Sequence, residues 1–512
     1  MKSKTPIIET LPPNQRRRFL KLLGLALAAP AVPAGVRHAA RALAVGEARA
    51  ADMAGEEPTY FIEINLRDQW DFGHVFVAPG LATHPALIRG SDGRKCAMYF
   101  MPEELIQRPN NIFMTPHALP LDPHLDTIAI IETCELGIGD IHGHEASCAL
   151  RAPGRSKVGG AGRMSMGANE PVPYTPGNQE HYASTPTPAS LHNYWQKQIT
   201  PGLRSGVAFK GISRDHTAYH FGAGLPGAEL DRIQTRESLF SAFPDKLEDF
   251  NVVPTAAQAN ALMDVLMKAD ARFLDRYGYV PQVKPAHQSN QDAARGVLYV
   301  GEPKLISLPL SEEETAYWSA GVPGQVGVNL KANIWEQCAW AFKLISNGLV
   351  RTFAVEFDYL DWHDTRPEEI MDTMALQTIN PLARLIESLK LAGIYDRTVI
   401  AMYTLDSGRS PAANSSGNEG KCGLILAGGM IKGGYYGDVG VAENSGDGHT
   451  YSYSSPDPAT GAPTPAVTDN SNRLSGAHVW RSVVKALGIP DDVAGQFPDV
   501  AGVQHLPWLL NS

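Results

Sequence analysis

Carboxylate and imidazole side chains follow three predicted strands of this chain, at the points where the strands end. Oxygen and nitrogen donors of this kind suit Zn²⁺, Mn²⁺ or Mg²⁺. A pocket that collects several carboxylates needs a cation, because an unpaired buried carboxylate is costly. An Asp after a strand is also a common turn former or helix N-cap, which is the simpler interpretation of each residue alone. The predicted metal ligands are Asp361, His363 and Asp406, together with Asp68 or Asp71.

A second cluster of reactive residue types lies between Asp140 and Cys148, after another predicted strand and before a short helical stretch. A hydroxyl or thiol at a helix N-terminus is favourably placed to act as a nucleophile. Ser147 and Cys148 are the candidate nucleophiles, and His142 and His144 are candidate acid/base groups or ligands. A capping loop with solvated histidines is the alternative interpretation of the same residues.

Two arginines lie next to the predicted ligands. Arg67 and Arg409 could each bind an anionic oxygen of a substrate in a bidentate manner, although pairing with a surface carboxylate is the more common role. The chain has no G-x-S-x-G nucleophile elbow, no H-E-x-x-H and no dinucleotide fingerprint. The glycine-rich segment 428–434 lacks the spacing of a phosphate-binding loop and is interpreted as a turn between strands.

Alternating or continuous β-branched and apolar runs predict the strands that carry these residues. The predicted strands are Tyr60–Leu66, Thr127–Ile131, Val350–Phe357, Thr398–Leu405 and Cys422–Ala427. Apolar residues at helical spacing predict helices over Thr255–Tyr277, Leu330–Ser346 and Pro367–Ala392, the last two ending at Asn347-Gly348 and Gly393. Strands that alternate with helices indicate an α/β fold with a mostly parallel sheet flanked by helices. Ligands of such sheets bind outside the carboxyl ends of the strands.

The N-terminus carries an export pattern. Arg16–Lys21 contains adjacent arginines followed by Phe-Leu-Lys, and the apolar run Leu22–Ala34 is too short to span a bilayer. Ala48-Arg49-Ala50 is a small-x-small cleavage site. Residues 1–50 are therefore predicted to be a twin-arginine signal peptide, which implies a periplasmic or secreted protein and the twin-arginine translocase as a partner during export.

The mature chain, residues 51–512, is predicted to be one α/β domain with loop-rich insertions at about 153–190 and 433–475. The whole chain has a formal net charge of −10. Residues 1–50 hold nine Lys/Arg and two Asp/Glu, so removing their charge of +7 leaves −17 on the mature chain. Such a charge argues against nucleic acid or an anionic membrane as a partner. After residue 50 there is no run of 18 apolar residues, so no membrane span is expected.

The chain has five cysteines, and none of them form a C-x-x-C pair. An odd number of cysteines in an exported protein leaves at least one thiol outside any disulfide within the chain. Cys338 lies on a helical pattern and is expected in the core.

Several segments, taken in chain order, resemble those of one bacterial family. Leu66-Arg67 with Asp71 looks like the family's opening Leu-Arg-Gly-Gly-x-Asp turn, and Pro116–Glu132 resembles the segment that ends in its second strand. Asp361-Trp362-His363 resembles its Asp-Thr-His element, and Asp396–Ile400 resembles its Asp-Arg-Thr-Leu-Val strand entry. Leu405–Pro411 resembles its Ser-Glu-Phe-Gly-Arg-Thr-Pro segment, and Leu426–Gly434 resembles its Leu-Ala-Gly-Gly-Gly-x-Lys-Gly-Gly segment. His144 falls where the family has a His, and Cys148 lies near a position often occupied by Thr. The family comprises twin-arginine-exported proteins of unassigned function that are grouped by fold with the alkaline phosphatases and sulfatases.

The resemblance implies an alkaline-phosphatase-like fold with long loops over the carboxyl edge of the sheet, and a divalent metal centre. The expected function is metal-dependent hydrolysis of a small anionic phosphate or sulfate ester. The chain departs from the family in one important interval, because Asn414–Cys422 contains no histidine where members usually have Asp-His. Asp68-Gln69 also replaces two glycines of the opening turn, while His449 could supply an imidazole from a later loop. The alternative is therefore a catalytically silent exported binding or assembly protein on the same fold.

Overall fold

The computed structural model describes part of the chain. The described residues are 59–70, 72–84, 87–89, 96–98, 100, 102–135, 204–209, 231–233, 236, 239–240, 306–323, 333–348, 350–357, 368–407, 421–443, 449–467, 474–489, 491 and 502–511. The predicted signal peptide, the predicted helix Thr255–Tyr277 and the insertion 153–190 lie outside these residues, so they stay predictions.

The described residues form β-strands, α-helices and short 3₁₀ segments. The strands are β1 (Tyr60–Trp70), β2 (Phe76–Val77), β3 (Leu87–Arg89), β4 (Cys96–Met98), β5 (Ile106–Arg108), β6 (Ile112–Met114), β7 (Ile128–Glu135), β8 (Arg204–Phe209), β9 (Asp231–Ile233), β10 (Val350–Phe357), β11 (Thr398–Ser407), β12 (Lys421–Ala427), β13 (Gly434–Tyr436), β14 (Asp438–Glu443), β15 (His449–Ser454) and β16 (Leu474–Ser475). The α-helices are α1 (Pro79–Ala82), α2 (Glu312–Ser319), α3 (Ile334–Ser346), α4 (Glu368–Leu391) and α5 (Gly476–Ala486). The 3₁₀ segments are Phe72–His74, Pro102–Glu104, Pro116–Thr127, Tyr395–Arg397 and Pro507–Leu509.

One large sheet organises the described residues. Eight of its nine strands have the order β13-β7-β12-β11-β1-β10-β8-β9, and the ninth, β16, pairs with β7. Every neighbouring pair is parallel except the two pairs made by β12, which runs antiparallel to β11 and β7. The predicted α/β class with a mostly parallel sheet is therefore confirmed.

The two faces of the sheet are covered by different helices. Side chains alternate between faces along a strand, and on β1 the residues Ile62 and Ile64 join one hydrophobic core with α3 and α4. On the other face, Tyr403 of β11 contacts Trp480 of α5 at 5.2 Å between ring centroids. Cys338 of α3 is fully buried, as predicted.

The helix ends follow the sequence signals. Glu336 accepts a hydrogen bond from the backbone N–H of Asn333, and the pair forms a capping box at the start of α3. Gly348 after α3 and Gly393 after α4 both have φ of 68°, a conformation that favours glycine and ends a helix. Both predicted helix ends are thus confirmed.

Three strands extend beyond their predicted ends: β7 continues from Ile131 to Glu135, and the other two carry candidate ligands. β1 continues four residues past Leu66, and β11 continues to Ser407, because polar residues there still pair with a neighbouring strand. Asp68 and Asp406 therefore lie within the last residues of strands. The prediction that these residues come after the ends of the strands is corrected, since the strands continue through them.

The region 433–475, predicted as a loop-rich insertion, includes several short strands. It contains β13 at the edge of the main sheet and the antiparallel hairpin β14–β15. These strands form because Tyr435, Val439 and Tyr453, which lie between glycines and polar residues in the sequence, are buried in the hydrophobic core. No helix in the described part of the chain is long and apolar enough to cross a bilayer.

The amino ends of the parallel strands form one border of the sheet, which we call the amino edge. The glycine-rich turn between β12 and β13 lies there, as its interpretation as a turn requires. The N–H of Gly428 donates to the carbonyl of Thr127 (3.2 Å), and the N–H of Gly433 donates to that of Asp126 (2.9 Å). The C-terminal segment covers this turn, because Lys432 N–H donates to Leu509 at 2.9 Å. The turn therefore contributes to the packing of the amino edge.

Candidate functional site

The carboxyl ends of the parallel strands form the opposite border, which we call the carboxyl edge. β10, β1 and β11 are consecutive parallel neighbours, so their carboxyl ends lie side by side. β7 runs in the same direction and is separated from β11 by β12 alone. The four strands that precede the candidate residues thus end at one edge of the sheet.

Two candidate ligands lie on adjacent strands at this edge. Gln69 of β1 is the register partner of Asp406 of β11, and Asp68 is the residue before Gln69. The ladder is irregular between Leu66 and Gln69, where β1 uses one more residue than β11. Such an irregularity is common at the rim of a functional site, where it changes the direction of neighbouring residues. The backbone therefore places Asp68 and Asp406 next to each other.

The remaining predicted site residues follow strand ends but lie outside the described residues. Leu66 pairs with Phe357, the last residue of β10, and Asp361 and His363 come four and six residues later. Asp71 is the residue after β1, and Arg409 comes two residues after β11. The residues His144, Ser147 and Cys148 follow β7 in the chain. The structure does not test how the side chains of any predicted site residue are arranged. Among the described side chains, no group of three or more His, Cys, Asp and Glu could hold a metal ion.

A buried carboxyl group lies within the sheet and was missed by sequence reasoning. Glu63 of β1 is fully buried and accepts a hydrogen bond from the hydroxyl of Tyr403, which is also fully buried. Both residues are on the face that α5 covers, and Tyr403 is three residues before Asp406. A Glu between Ile62 and Ile64 was the available signal, because a buried Glu needs a hydrogen-bonding partner.

The end of β7 contains a strained bulge. Thr133 is buried and has φ of 56°, an outlier for a β-branched residue. The ladder to β12 is irregular at this place, between the pairs Leu424–Ile131 and Cys422–Cys134. Ser455 donates to the carbonyl of Thr133 at 3.1 Å, and the Thr133 hydroxyl donates to Ser455 Oγ at 3.3 Å. Sequence patterns gave no signal for this bulge, since its cause is the pairing of distant strands.

The Tyr435 hydroxyl and the Asp438 carboxyl group lie beside the bulge, and both are partly or fully buried. Tyr435 donates to Glu132 at 3.0 Å, and burial together with Glu132 raises the pKa of the Tyr435 hydroxyl well above its usual value. Burial also raises the pKa of Asp438, although its carboxylate accepts a hydrogen bond from Gly80 N–H at 2.8 Å. Burial thus raises the pKa values of Tyr435 and of Asp438 on this side of β7.

Two imidazoles form a further cluster close to the end of β1. His74, four residues after Trp70, is fully buried, and its ring lies 5.1 Å from that of His117 and 5.4 Å from that of Phe100. Thr115 donates to the carbonyl of His74 at 2.9 Å. Neither histidine follows a predicted strand directly, so the sequence offered no signal that selects them.

The chain is similar to several solved structures at low sequence identity. No protein-family model matches the chain, and no curated protein matches it. Among solved structures, the chain is similar to the lipoteichoic acid synthase LtaP from Listeria monocytogenes, with 9% identity over 88% of this chain and 93% of that chain and a TM-score of 0.30. It is similar to Ps i-CgsB in complex with k-i-k-neocarrahexaose, with 10% identity over 88% and 77% of the two chains and a TM-score of 0.34.

A third similarity is to the PsFucS1 sulfatase from Pseudoalteromonas sp., with 10% identity over 79% of this chain and 68% of that chain and a TM-score of 0.31. TM-scores of this size carry no argument about fold or function. The α/β architecture described above rests on the strand order of the chain itself.

Proposed function

We propose that the chain is an exported, metal-dependent hydrolase of phosphate or sulfate esters on an alkaline-phosphatase-like fold. The observation that carries the proposal is the register at the carboxyl edge, where Asp406 lies opposite Gln69 and therefore beside Asp68 on the neighbouring strand. β10 ends on the other side of β1 and leads to Asp361 and His363. One edge thus collects the strands that precede every proposed ligand.

The donor set fits a divalent cation. Carboxylate oxygens and one imidazole nitrogen are ligands of Zn²⁺, Mn²⁺ and Mg²⁺, and neighbouring strands about 4.8 Å apart can each contribute one ligand. Asp361, His363, Asp406 and either Asp68 or Asp71 would hold the ion. When bound, the ion supplies Lewis acidity that polarises the oxygens of an ester.

The other proposed residues act on the substrate. Arg409 presents a planar guanidinium that can hold two oxygens of a phosphate or sulfate group. Ser147 or Cys148 would attack the phosphorus or sulfur atom, the bond to the alcohol of the ester would break, and His144 would pass the proton of the attacking group to the departing alcohol. Water would then release the phosphate or sulfate from the side chain. The short distance in sequence between His144 and Ser147 supports this assignment.

The charge of the mature chain is consistent with a metal centre. Acidic clusters contribute to a net charge of −17 and are stabilised when a cation binds them. Export of a folded chain through the twin-arginine route would let the cytoplasm determine which ion is loaded. The substrate is then a small ester outside the cytoplasm.

One observation favours a second function. The interval Asn414–Cys422, between β11 and β12, lacks the histidine that the resembling family usually has there. Loss of one ligand weakens a metal site that catalyses hydrolysis. A catalytically silent binding or assembly protein on the same fold is therefore the second candidate.

Hydrolysis of an aryl phosphate and an aryl sulfate by the exported full chain separates the two candidates. We expect one ester to be hydrolysed, the activity to disappear with a chelator, and Zn²⁺, Mn²⁺ or Mg²⁺ to restore it. Arg409→Gln should lower kcat/KM by about 100-fold, because an anion-stabilising donor is lost.

The matched control is Arg481→Gln. Arg481 lies in the middle of α5 and pairs with Asp491 at 2.6 Å, and its replacement should leave kcat/KM unchanged. Hydrolysis that is insensitive to the chelator and to Arg409→Gln contradicts the proposal. A chain that binds metal but hydrolyses neither ester is the silent protein.

A further inference from the structure

Two cysteines are register partners near the carboxyl edge. In the antiparallel ladder between β7 and β12, Cys134 lies opposite Cys422, and the thiol of Cys134 is fully buried. Directly opposite residues of an antiparallel pair share a face of the sheet and have Cα atoms about 4.5 or 5.5 Å apart. Disulfides join Cα atoms that are about 4.4–6.8 Å apart. The backbone register therefore satisfies the distance that a disulfide requires.

The bulge in β7 produces this register. Leu424 lies opposite Ile131, so an unbroken ladder would place Thr133 opposite Cys422. β7 uses one additional residue before Cys134, and Cys134 takes the place of Thr133. A sequence-based pairing of the two predicted strands could not find this partner.

The bulge carries a conformational cost. Thr133 adopts φ of 56°, which is unfavourable for a β-branched residue, and two hydrogen bonds with Ser455 hold it there. Strain of this kind persists where the surrounding structure enforces it and is concentrated at functional positions. In this strand its direct consequence is the juxtaposition of Cys134 and Cys422.

The expected compartment favours oxidation, and this step rests on the export that the proposed function includes. Disulfides persist outside the cytoplasm, whereas cytosolic thiols stay reduced. A chain exported in the folded state reaches the oxidising compartment with Cys134 and Cys422 already in register. No rearrangement of the strand pairing is needed before the bond forms.

We propose that Cys134 and Cys422 form a disulfide after export and so join β7 covalently to β12. Two S–H bonds break and one S–S bond forms. The two electrons and two protons pass to the disulfide of a thiol–disulfide oxidoreductase, which becomes a dithiol. The bond fixes the end of β7, which leads to His144, against the start of β12, which follows the segment that carries Arg409.

Peptide mapping tests the bond directly. The full chain is recovered from outside the cytoplasm, or from the cytoplasm and then incubated with oxidised glutathione. It is alkylated under denaturing, non-reducing conditions and digested. We expect a cross-linked pair of peptides that contain Cys134 and Cys422, with Cys338 alkylated. Alkylation of both Cys134 and Cys422, or a link from either to another cysteine, overturns the proposal.

Thermal unfolding with and without reductant gives a second measurement. Reductant should lower the midpoint of wild type and of Cys338→Ser by about 5 °C, and should not change the midpoint of the Cys134→Ser/Cys422→Ser double variant. An equal response of wild type and the double variant overturns the proposal. Neither measurement requires hydrolysis or bound metal, so a failure of the proposed activity would be seen separately.

Discussion

The two edges of the sheet are built differently. At the amino edge, the turn between β12 and β13 packs so tightly that a Cβ atom on Gly433 would lie 2.0 Å from the carbonyl oxygen of Leu125. A Cβ on Gly428 would lie 2.1 Å from that of Thr398. At the carboxyl edge, β1 and β7 each contain an irregular pairing, and the residue Thr133 has a strained backbone.

The difference separates two roles of similar-looking motifs. The glycines of the amino edge permit close approach of backbones and hydrogen bonds to residues 126 and 127, so they stabilise the fold. The irregular strand ends of the carboxyl edge cost stability and place chemically reactive residue types side by side. Both edges contribute to the resemblance noted in the sequence, but the proposed chemistry belongs to the carboxyl edge alone.

The largest expected effect is at the amino edge. Gly433→Ala should reduce the free energy of unfolding by about 3 kcal/mol, because the new methyl group meets the backbone of Leu125 and Asp126 and not a flexible side chain. Chemical denaturation measures this change. Any hydrolysis or metal binding at the carboxyl edge should be retained in the folded fraction.

Gly393→Ala is the matched control. Gly393 has a positive φ, of 68°, but a Cβ there would meet nothing within 4 Å. The substitution should cost about 1 kcal/mol, from backbone conformation alone. If Gly433→Ala were no more destabilising than Gly393→Ala, the close packing assigned to the amino edge would be wrong.

A smaller effect is expected in the pH dependence of stability, where the carboxyl groups of Asp122 and Asp438 should contribute with opposite sign. Hydrogen bonds from Arg108, at 2.7 Å, lower the pKa of Asp122, which lies in the segment that leads to the amino end of β7. Its contribution to stability is present above the unfolded pKa and is lost as the pH falls through the folded value. Burial raises the pKa of Asp438, so its contribution is present below the unfolded pKa and is lost as the pH rises through the folded value.

The two Asp→Asn variants should therefore differ in sign. At pH 7, Asp122→Asn is expected to be less stable than wild type and Asp438→Asn more stable, with both differences shrinking as the pH is lowered through the carboxyl range. Urea unfolding at several pH values measures the differences. If both substitutions changed the free energy of unfolding at pH 7 in the same direction, the opposite pKa shifts of Asp122 and Asp438 would be wrong.

Strands and helix ends could be predicted from local sequence. Val350–Phe357 is observed with the predicted bounds, because Asn347-Gly348 ends the preceding helix shortly before the run and Asp358 follows it directly. α3 and α4 end just before Gly348 and Gly393, and the positive φ that ends a helix at a glycine is a local property of the sequence. The class of fold followed from the order of these elements.

Features that depend on pairing between distant segments could not be predicted. β1 continues through Asp68 because β11 offers it a partner, although the residues themselves suggest a turn. The burial of Glu63 depends on Tyr403 from another strand, and the bulge at Thr133 depends on β12 and Ser455. The candidate ligands were found as types and positions in sequence, and the register adds that Asp68 and Asp406 are neighbours.

The central claim is that residues in the last positions of β1 and β11, together with residues that follow β10, bind one divalent ion at the carboxyl edge. Its most direct test is the metal content per chain of the exported protein, compared with Asp361→Ala, His363→Ala and the control Asp491→Asn. Asp491 follows α5, whose end at Leu487 accepts a hydrogen bond from Thr59 at the amino edge (2.9 Å). Wild type and Asp491→Asn should carry bound metal that both other variants lose. Equal metal content in all four proteins would contradict the claim.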